Sequence, residues 1–391
     1  MNYLNESITK QLPFQKNVGN LDDNLRRELS FYIQMVIVVA FSLVVIGLTF
    51  ILSSTYSISI QRYGNPFSLF LRQLLWVGVG ILLMLVFSRI DTSLYSKFVK
   101  VILLVGIVVS LLPFVPGVGK ARGDAYRWIN LGILNISSSE IVKMVLIIYI
   151  SVILSRKMDK KNFFSVFLPI FIVAVFFFGV ISLQMDVSMA FLILLSSLVV
   201  MYVGGVPLIQ IILTFVVSLS FTFLVGDRLP YLHNRIIAFL DPWSDPFGKG
   251  YHYISMLRSF QNGIFGVGIG NGVIKDKYLP EAHTDSIFSV IAEETGIIGT
   301  LLVIVLIVML FYYSIRLAVR INDTYRSSLV VGFASIISIW GLVNILVNIG
   351  LLPPTGTNLP LVSYGGANII TSFIALGIIY RCYKEKIKGI V

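Results

Sequence analysis

Apolar runs about 20 residues long recur from residue 31 to residue 382, and they limit what this chain can fold into. A helix of that length crosses a hydrocarbon core of roughly 30 Å. In lipid only helices and closed barrels satisfy all their backbone hydrogen bonds, and these runs lack the alternation of barrel strands. The chain is 57% hydrophobic and only 13% charged. We therefore predict an all-α polytopic membrane protein rather than soluble domains.

The apolar runs predict ten membrane-spanning helices. A Gly-Gly-Val-Pro turn at residues 204–207 separates the sixth span from the seventh, because proline breaks a helix interior. The spans form one membrane domain over residues 31–383, between an N-terminal tail at 1–30 and a C-terminal tail at 384–391. The predicted spans are residues 31–53, 67–88, 97–114, 138–155, 163–182, 187–204, 206–226, 285–315, 328–350 and 363–382.

The positions of Lys and Arg predict the orientation. Most of the 30 basic residues fall in the two tails and in the short loops after spans two, four and eight, which indicates that both termini are cytoplasmic. The net charge of +11 then reflects short loops at anionic membrane lipid rather than binding of nucleic acid. A large extracytoplasmic loop, residues 227–284, follows span seven, and its spaced aromatic residues predict a folded cap.

Three ionisable residues lie in or beside the predicted fourth and sixth spans, where charge is costly. Glu140 and Lys143 are spaced i, i+3 and therefore share one helix face. They form either an internal ion pair or the lining of a polar cavity. Asp186 precedes span six, where it either caps that helix or completes a triad with Lys143.

Two segments rich in glycine predict irregular backbone. The segment 266–272 has glycine at every second position, which is not a dinucleotide-binding spacing. It forms either a flexible turn or backbone that approaches a ligand phosphate closely. The loop 352–366 has three prolines and three glycines, and such backbone at membrane depth requires a cavity. Ser363 and Tyr364 would bring hydroxyl groups to that cavity.

The densest polar cluster immediately precedes span eight. Glu281, His283, Thr284 and Asp285 lie within five residues there. A carboxylate at this position can act as a general base, or Asp285 can simply cap span eight. A helix N-terminus lowers the pKa of a carboxyl group, whereas burial under the 227–284 loop raises it.

These segments resemble the SEDS proteins of bacteria (shape, elongation, division and sporulation), which include FtsW, RodA and SpoVE. The string Pro-Glu-Ala-His-Thr-Asp at 280–285 is highly specific, and its alanine is closer to the FtsW and SpoVE branch than to RodA. The chain departs from the family where Gln-Pro is usual before span four, along residues 184–189, and at Ser286, where Phe is usual. The stretches that match in order are 126–132, 139–143, 235–251, 266–285 and 350–366.

The resemblance implies a peptidoglycan glycosyltransferase of the bacterial cytoplasmic membrane. Such an enzyme polymerises lipid II on the extracytoplasmic face during cell division or related cell-wall synthesis and releases polyprenyl pyrophosphate. It usually works with a single-span class B penicillin-binding protein, a transpeptidase, and with other divisome or elongation-complex proteins. The family's essential aspartate maps onto Asp285, which we interpret as the general base. Glu281 and His283 would position the substrate or the loop, and His283 as a second base is an alternative.

The leaving pyrophosphate needs its charge neutralised more than it needs a proton. A divalent cation, Mg or Mn, held by carboxylates is one candidate, although the sequence assigns no metal ligands. Basic side chains are the other candidates, namely Arg127, Arg235, Lys143, Arg258, Lys275 and Lys277.

A lipid II flippase is the alternative function, because ten spans and buried charges also suit a transporter. A flippase needs a polar path to the cytoplasmic side. The sequence predicts polar clusters only in the extracytoplasmic half and cytoplasmic connections that are short and merely basic, which favours surface chemistry. A third possibility, a non-catalytic scaffold for division proteins, would not require Asp285.

Overall fold

The computed structural model describes residues 23–122, 125–130, 135–156, 162–226, 230–248, 250–277, 279 and 281–389. Tyr278 and Pro280, beside the predicted polar cluster, lie outside the described residues. The described helices are α1 (Asp23–Tyr63), α2 (Ser68–Phe87), α3 (Thr92–Lys97), α4 (Val99–Leu111), α5 (Ser138–Arg156), α6 (Leu168–Leu183), α7 (Val187–Val203), α8 (Leu208–Gly226), α9 (Pro230–Leu240), α10 (Tyr251–Arg258), α11 (Ile274–Lys277), α12 (Ile287–Ile321), α13 (Thr324–Asn348) and α14 (Gly366–Ile387).

The helical membrane fold predicted from the apolar runs is confirmed. Seven described helices are long and apolar enough to cross a membrane, and three shorter apolar helices occupy the other predicted spans. α1, α12 and α14 continue past the predicted limits, to Asp23, Ile321 and Ile387. Hydropathy marks only the part of a helix that suits hydrocarbon, so it does not show a helix that continues into polar surroundings. The count of ten spans stays a prediction.

A small antiparallel sheet lies between α4 and α5, in a segment that the sequence predicts as loop. Its strands are β1 (Gly119–Arg122), β2 (Ala125–Asn130) and β3 (Asn135–Ser137), with β2 in the middle. The strands are too short for a clear alternation in the sequence. The sheet sets the position of Arg127 on β2.

α5 and α13 form the centre of the bundle. In each of them 78% of the most apolar window is buried, against 22% in α2 and 28% in α12. The exposed leucines and valines of α2 and α12 suit contact with lipid. Polar groups at Glu140, Lys143 and Asn344 are therefore carried by the helices that face protein on most sides.

The loop between α13 and α14 enters the bundle, as its prolines and glycines predict. Leu359 and Val362 are completely buried. α1 packs against this loop at Gly47, where a Cβ atom would lie 2.5 Å from the carbonyl oxygen of Val362. Irregular backbone at this depth is tolerated because protein surrounds it.

The glycine-rich segment is bonded to α12. The carboxylate of Glu293 accepts hydrogen bonds from the N–H groups of Val273 and Ile274, at 2.6 and 2.8 Å. The Glu294 carboxylate accepts one from the Gly270 N–H at 3.0 Å and pairs with Lys275 Nζ at 2.5 Å. Within the segment, the N–H groups of Val267, Gly268 and Gly270 also bond to α12. These contacts argue against both the flexible turn and the phosphate site, because these amides already have partners. Lys275 is buried in its ion pair with Glu294.

Gly266→Ala is expected to destabilise the protein more than Gly263→Ala. Both glycines have left-handed φ angles, +67° and +72°, which cost a residue with a Cβ atom about 1–2 kcal/mol. At Gly266 that atom would also lie 2.5 Å from the carbonyl carbon of Glu294, whereas Gly263 has nothing within 4 Å. Thermal unfolding of the purified variants measures the difference. Equal losses would show that the segment does not press against α12.

A network of charges around Glu385 joins the helix ends opposite Asp285. The Glu385 carboxylate accepts hydrogen bonds from the Thr92 N–H at 2.9 Å, Arg326 Nε at 2.7 Å and Arg381 Nε at 2.8 Å. Arg381 also pairs with Asp91. The prediction that these connections are merely basic is wrong, because their arginines pair with carboxylates that are distant along the chain.

Candidate active site

Asp285 lies just before α12, whose N-cap residue is Ser286. Its Oδ1 atom is 3.4 Å from the hydroxyl oxygens of both Thr284 and Ser286. The side chain of Ser286 makes no capping hydrogen bond to α12. The Asp285 carboxylate accepts from these two hydroxyls rather than from N–H groups of α12, so it does not cap that helix, which was the alternative to a chemical role.

Two asparagines of α13 hold the backbone of Asp285. Asn344 Nδ2 and Asn348 Nδ2 donate to its carbonyl oxygen at 2.9 and 3.0 Å. Asn344 also donates to the carbonyl oxygen of Thr357 at 2.6 Å. The sequence reasoning missed both residues, although two asparagines spaced i, i+4 in an apolar span are a usable signal.

The loop before α14 fixes the rest of the polar cluster. The Ser363 hydroxyl donates to the carbonyl oxygen of Thr284 and accepts from the Leu359 N–H. The Tyr364 N–H donates to the carbonyl oxygen of His283 at 2.8 Å, and the two rings meet edge to face. Ser363 therefore holds the cluster through its hydroxyl, and Tyr364 does so through its backbone.

Glu281 and His283 differ in exposure. Glu281 has a side chain that is 66% exposed, and its Oε2 atom lies 3.9 Å from Nε2 of the buried His283. Burial lowers the pKa of His283 from its usual 6.5, and Arg62 acts in the same direction, against Glu281 and Asp285. His283 is therefore mainly neutral at pH 7.

Asp186 pairs with Arg127 rather than with Lys143. It is the N-cap residue of α7, and its Oδ1 atom lies 3.3 Å from Arg127 Nη1. Burial raises the pKa of Asp186, while Arg127 and Arg235 oppose that rise. Arg235 on α9 donates to the carbonyl oxygen of Thr355 at 3.1 Å. The predicted triad is replaced by a cluster of one carboxylate and two arginines.

Glu140 and Lys143 form the internal ion pair that was one of the two predicted alternatives. Lys143 Nζ lies 2.6 Å from Glu140 Oε2 and 4.2 Å from the centre of the Trp340 ring. Thr371 of α14 donates its hydroxyl to the same Glu140 oxygen. Trp340 precedes Asn344 by one helical turn, so the pair lies deeper along the α13 face that supports Asp285.

A small cleft contains Asp285, His252 and the loop 354–357. His252 Nε2 is 3.0 Å from Ser286 Oγ. Burial raises the pKa of Asp285, and the charge of His252 partly opposes this. Arg235 adjoins the cleft, since a Cβ atom on Gly356 would lie 3.3 Å from its Nη2 atom. The sequence analysis assigned no role to His252.

No three acidic, cysteine or histidine side chains in the described part of the chain converge on a point where they could hold a metal ion. Within this part of the chain, such side chains therefore do not by themselves form a cation site with three ligands. Binding of Mg or Mn stays a prediction, and no chemical step below depends on it.

The chain is similar to a known protein family over most of its length. A family model described as FTSW_RODA_SPOVE, cell cycle protein, matches residues 33–388. The probable peptidoglycan glycosyltransferase FtsW of Coxiella burnetii is 34% identical over 360 residues, covering 90% of this chain and 96% of the relative. A protein of the same name from Geobacter metallireducens is 32% identical over 365 residues, covering 93% and 97%.

Solved structures have the same fold. One is described by the words "Structural coordination of polymerization and crosslinking by a peptidoglycan synthase complex". It superposes with a TM-score of 0.71 at 24% sequence identity, and the match covers 90% of this chain and 97% of that one. The rod shape determining protein RodA of Thermus thermophilus gives a TM-score of 0.66 at 21% identity, covering 90% and 96%.

Proposed function

This chain belongs to the FtsW, RodA and SpoVE family of cell cycle proteins, and we propose that Asp285 is the general base of its glycosyl transfer. It is a peptidoglycan glycosyltransferase, the activity for which its curated relatives are named. One observation carries the assignment of Asp285: its carboxylate lies in a cleft and does not cap α12. The raised pKa of Asp285 and the hydrogen bonds from α13 to its backbone support the assignment.

The proposed reaction extends a glycan strand with the disaccharide of lipid II. Asp285 accepts the proton of the acceptor sugar hydroxyl, and the oxygen attacks the anomeric carbon of the donor. The bond between that carbon and the pyrophosphate oxygen breaks, and polyprenyl pyrophosphate leaves with the electron pair. A base with a raised pKa accepts this proton more readily than an ordinary aspartate does. The hydrogen bonds from Asn344 and Asn348 keep it in place without occupying its carboxylate.

Arg235 and Arg127 are the proposed partners of the leaving pyrophosphate. Arg235 adjoins the cleft and is oriented by the Thr355 carbonyl oxygen. Arg127 is partly exposed beside Asp186, with 27% of its side chain accessible. Guanidinium groups bind phosphate oxygens in a bidentate manner. Lys143 is a weaker candidate because it is buried in its pair with Glu140.

An apolar cavity is the proposed site of the polyprenyl tail. Its volume is about 370 Å³ and it lies among α2, α4, α5 and α14. Apolar side chains such as Phe87, Ile102, Met144 and Ile370 line it. Thr371, which bonds Glu140, also lines it and links it to the buried ion pair. A long hydrocarbon tail fits such a lining because it makes no hydrogen bonds.

We place the site on the extracytoplasmic face of the cytoplasmic membrane, with a single-span class B penicillin-binding protein as partner in cell division. The distribution of Lys and Arg supports this orientation. A structural neighbour described as coordinating polymerization and crosslinking supports a transpeptidase partner, and the FtsW names of the curated relatives support a role in the divisome.

The activity test uses proteoliposomes that contain lipid II and the purified protein, with and without its transpeptidase. Glycan strands are expected, and they should disappear in Asp285→Asn. Transfer of lipid II across the bilayer without polymer would instead support the flippase. The network around Glu385 argues against that outcome, because it ties α13 and α14 to residues 91–92 where a flippase would need an opening.

As the pH is lowered, the rate of polymerisation is expected to fall at a higher pH than it would if the general base were an ordinary aspartate. The reactive form of Asp285 is the carboxylate, and burial raises its pKa above the usual 3.8. Activity is therefore present above that raised pKa and lost as the pH falls through it. The check is kcat/KM for lipid II against pH, with circular dichroism to show that the protein stays folded. An acid limb centred at or below pH 3.8 would contradict the assignment.

A further inference from the structure

We propose that Ser286 and His252 form a relay that removes the proton Asp285 takes from the acceptor hydroxyl. The relay rests on the proposed function, because it requires Asp285 to be the base. Nothing in the sequence pattern assigns a role to His252, and Ser286 stands where the resembling family usually has phenylalanine, which cannot exchange a proton.

His252, Ser286 and Asp285 are connected in that order by hydrogen-bond contacts. His252, the second residue of α10, has Nε2 at 3.0 Å from Ser286 Oγ. Ser286 Oγ is in turn 3.4 Å from Asp285 Oδ1. Ser286 is completely buried, so bulk water does not compete for its hydroxyl. A hydroxyl both donates and accepts, which suits it to pass a proton between a carboxyl group and an imidazole.

Asp285 needs such an outlet because each transfer leaves it protonated. Its raised pKa makes it hold that proton longer than an ordinary aspartate would. Two hydroxyls lie next to Oδ1, those of Thr284 and Ser286. The Thr284 hydroxyl already donates to the carbonyl oxygen of Glu281 at 2.9 Å. The Ser286 hydroxyl lies instead within hydrogen-bond distance of His252, whose side chain is half-buried.

The relay step moves two protons. The O–H proton of Asp285 moves to Ser286 Oγ while the hydroxyl proton of Ser286 moves to Nε2 of neutral His252. An aspartate carboxylate and an imidazolium result, and Ser286 is unchanged. Neutral His252 must carry its proton on Nδ1 for this step. The imidazolium then releases a proton to water and returns to the form protonated on Nδ1. The Ser286 hydroxyl rotates back toward Nε2, and the site is ready for the next sugar.

The charges around the relay come from two elements. Before α12, Asp285 attracts the imidazolium, while Glu281 repels the Asp285 carboxylate. His283 interacts with that carboxylate too. From α9, Arg235 reaches the loop beside the same cleft at Gly356. The charge interaction between His252 and Asp285 favours transfer of the proton from the carboxyl group to the imidazole.

The test measures polymerisation of lipid II by the membrane-reconstituted protein with its transpeptidase. His252→Gln keeps a donor near Ser286 but cannot accept a proton. It is expected to lower kcat by about 10–100-fold, less than loss of the base itself, and to leave KM nearly unchanged.

Ser286→Ala and Ser286→Thr form the matched pair. Alanine interrupts the relay and should lower kcat as His252→Gln does, whereas threonine supplies a new hydroxyl and should recover most of the rate. Thermal unfolding of each variant shows whether a loss comes from misfolding. The recovery by threonine keeps the test decisive if alanine also destabilises the protein.

Parent-like kcat in His252→Gln would overturn the relay. A loss in His252→Phe with full activity in His252→Gln would also overturn it, because His252 would then act only as a hydrogen-bond donor. Asp285→Asn separates the two proposals. If it still polymerises, the general-base assignment fails; if it is inactive while His252→Gln is normal, only the relay fails.

Discussion

Asp285→Asn is expected to lower the rate of glycan polymerisation by about 10²–10⁴-fold, the usual range for a general base. The amide has nearly the shape of the carboxylate but does not accept the proton of the acceptor hydroxyl. The fold should survive, because Asn344 and Asn348 bind the backbone of Asp285 and not its side chain. The loss should appear in kcat more than in KM.

The measurement is the amount and length of glycan made from lipid II per unit time by the parent and variant proteins. Asp23→Asn is the matched control, because it makes the same chemical change at an exposed aspartate in α1. Both variants should unfold at the temperature of the parent. A normal rate in Asp285→Asn would refute the general base, whatever the control does.

Lys143→Met is expected to be the most destabilising of the proposed substitutions, by about 3–5 kcal/mol. It leaves the Glu140 carboxylate buried without its cation, and both side chains of this pair are at most 5% exposed. It also removes the ammonium group from the face of the Trp340 ring. Chemical unfolding in detergent micelles, followed by tryptophan fluorescence, measures the loss.

Two further variants make the Lys143 experiment decisive. The double variant Glu140→Gln, Lys143→Met removes both charges and should recover most of the stability. Arg320→Met breaks the pair with Glu28, whose side chains are 48% and 42% exposed, and should cost at most about 1 kcal/mol. Equal losses in Lys143→Met and Arg320→Met would contradict the role of the buried pair. If the double variant is stable but inactive, the charges of Glu140 and Lys143 are also needed for polymerisation.

The pairing of Glu140 with Lys143 was one of two alternatives that the sequence predicted, because both lie on one helix at i, i+3 spacing. The placement of Asp285 at the start of a membrane helix could be predicted because an apolar run follows it directly. Both inferences use residues close together in the chain. The partner of Asp186 could not be predicted in this way, since Arg127 reaches it from a short strand that hydropathy does not reveal.

The network around Glu385 could not be predicted from the sequence either. Arg326 and Arg381 look like ordinary cytoplasmic charges when they are counted along the sequence. In the structure both donate to one carboxylate, and Thr92 joins them from a third part of the chain. A count of basic residues predicts orientation well because it sums over loops, but it does not show which charges find a partner.

By itself the sequence determined the helical membrane fold, the family and the identity of the polar cluster, because these depend on apolar length and on contiguous residues. A run of about 20 residues spans the bilayer whatever its neighbours are. Only the tertiary structure decided what surrounds Asp285. Asn344 and Asn348 are 59 and 63 residues away, and His252 reaches it through Ser286. Those contacts depend on which helix faces meet, and that is settled by packing across the whole bundle.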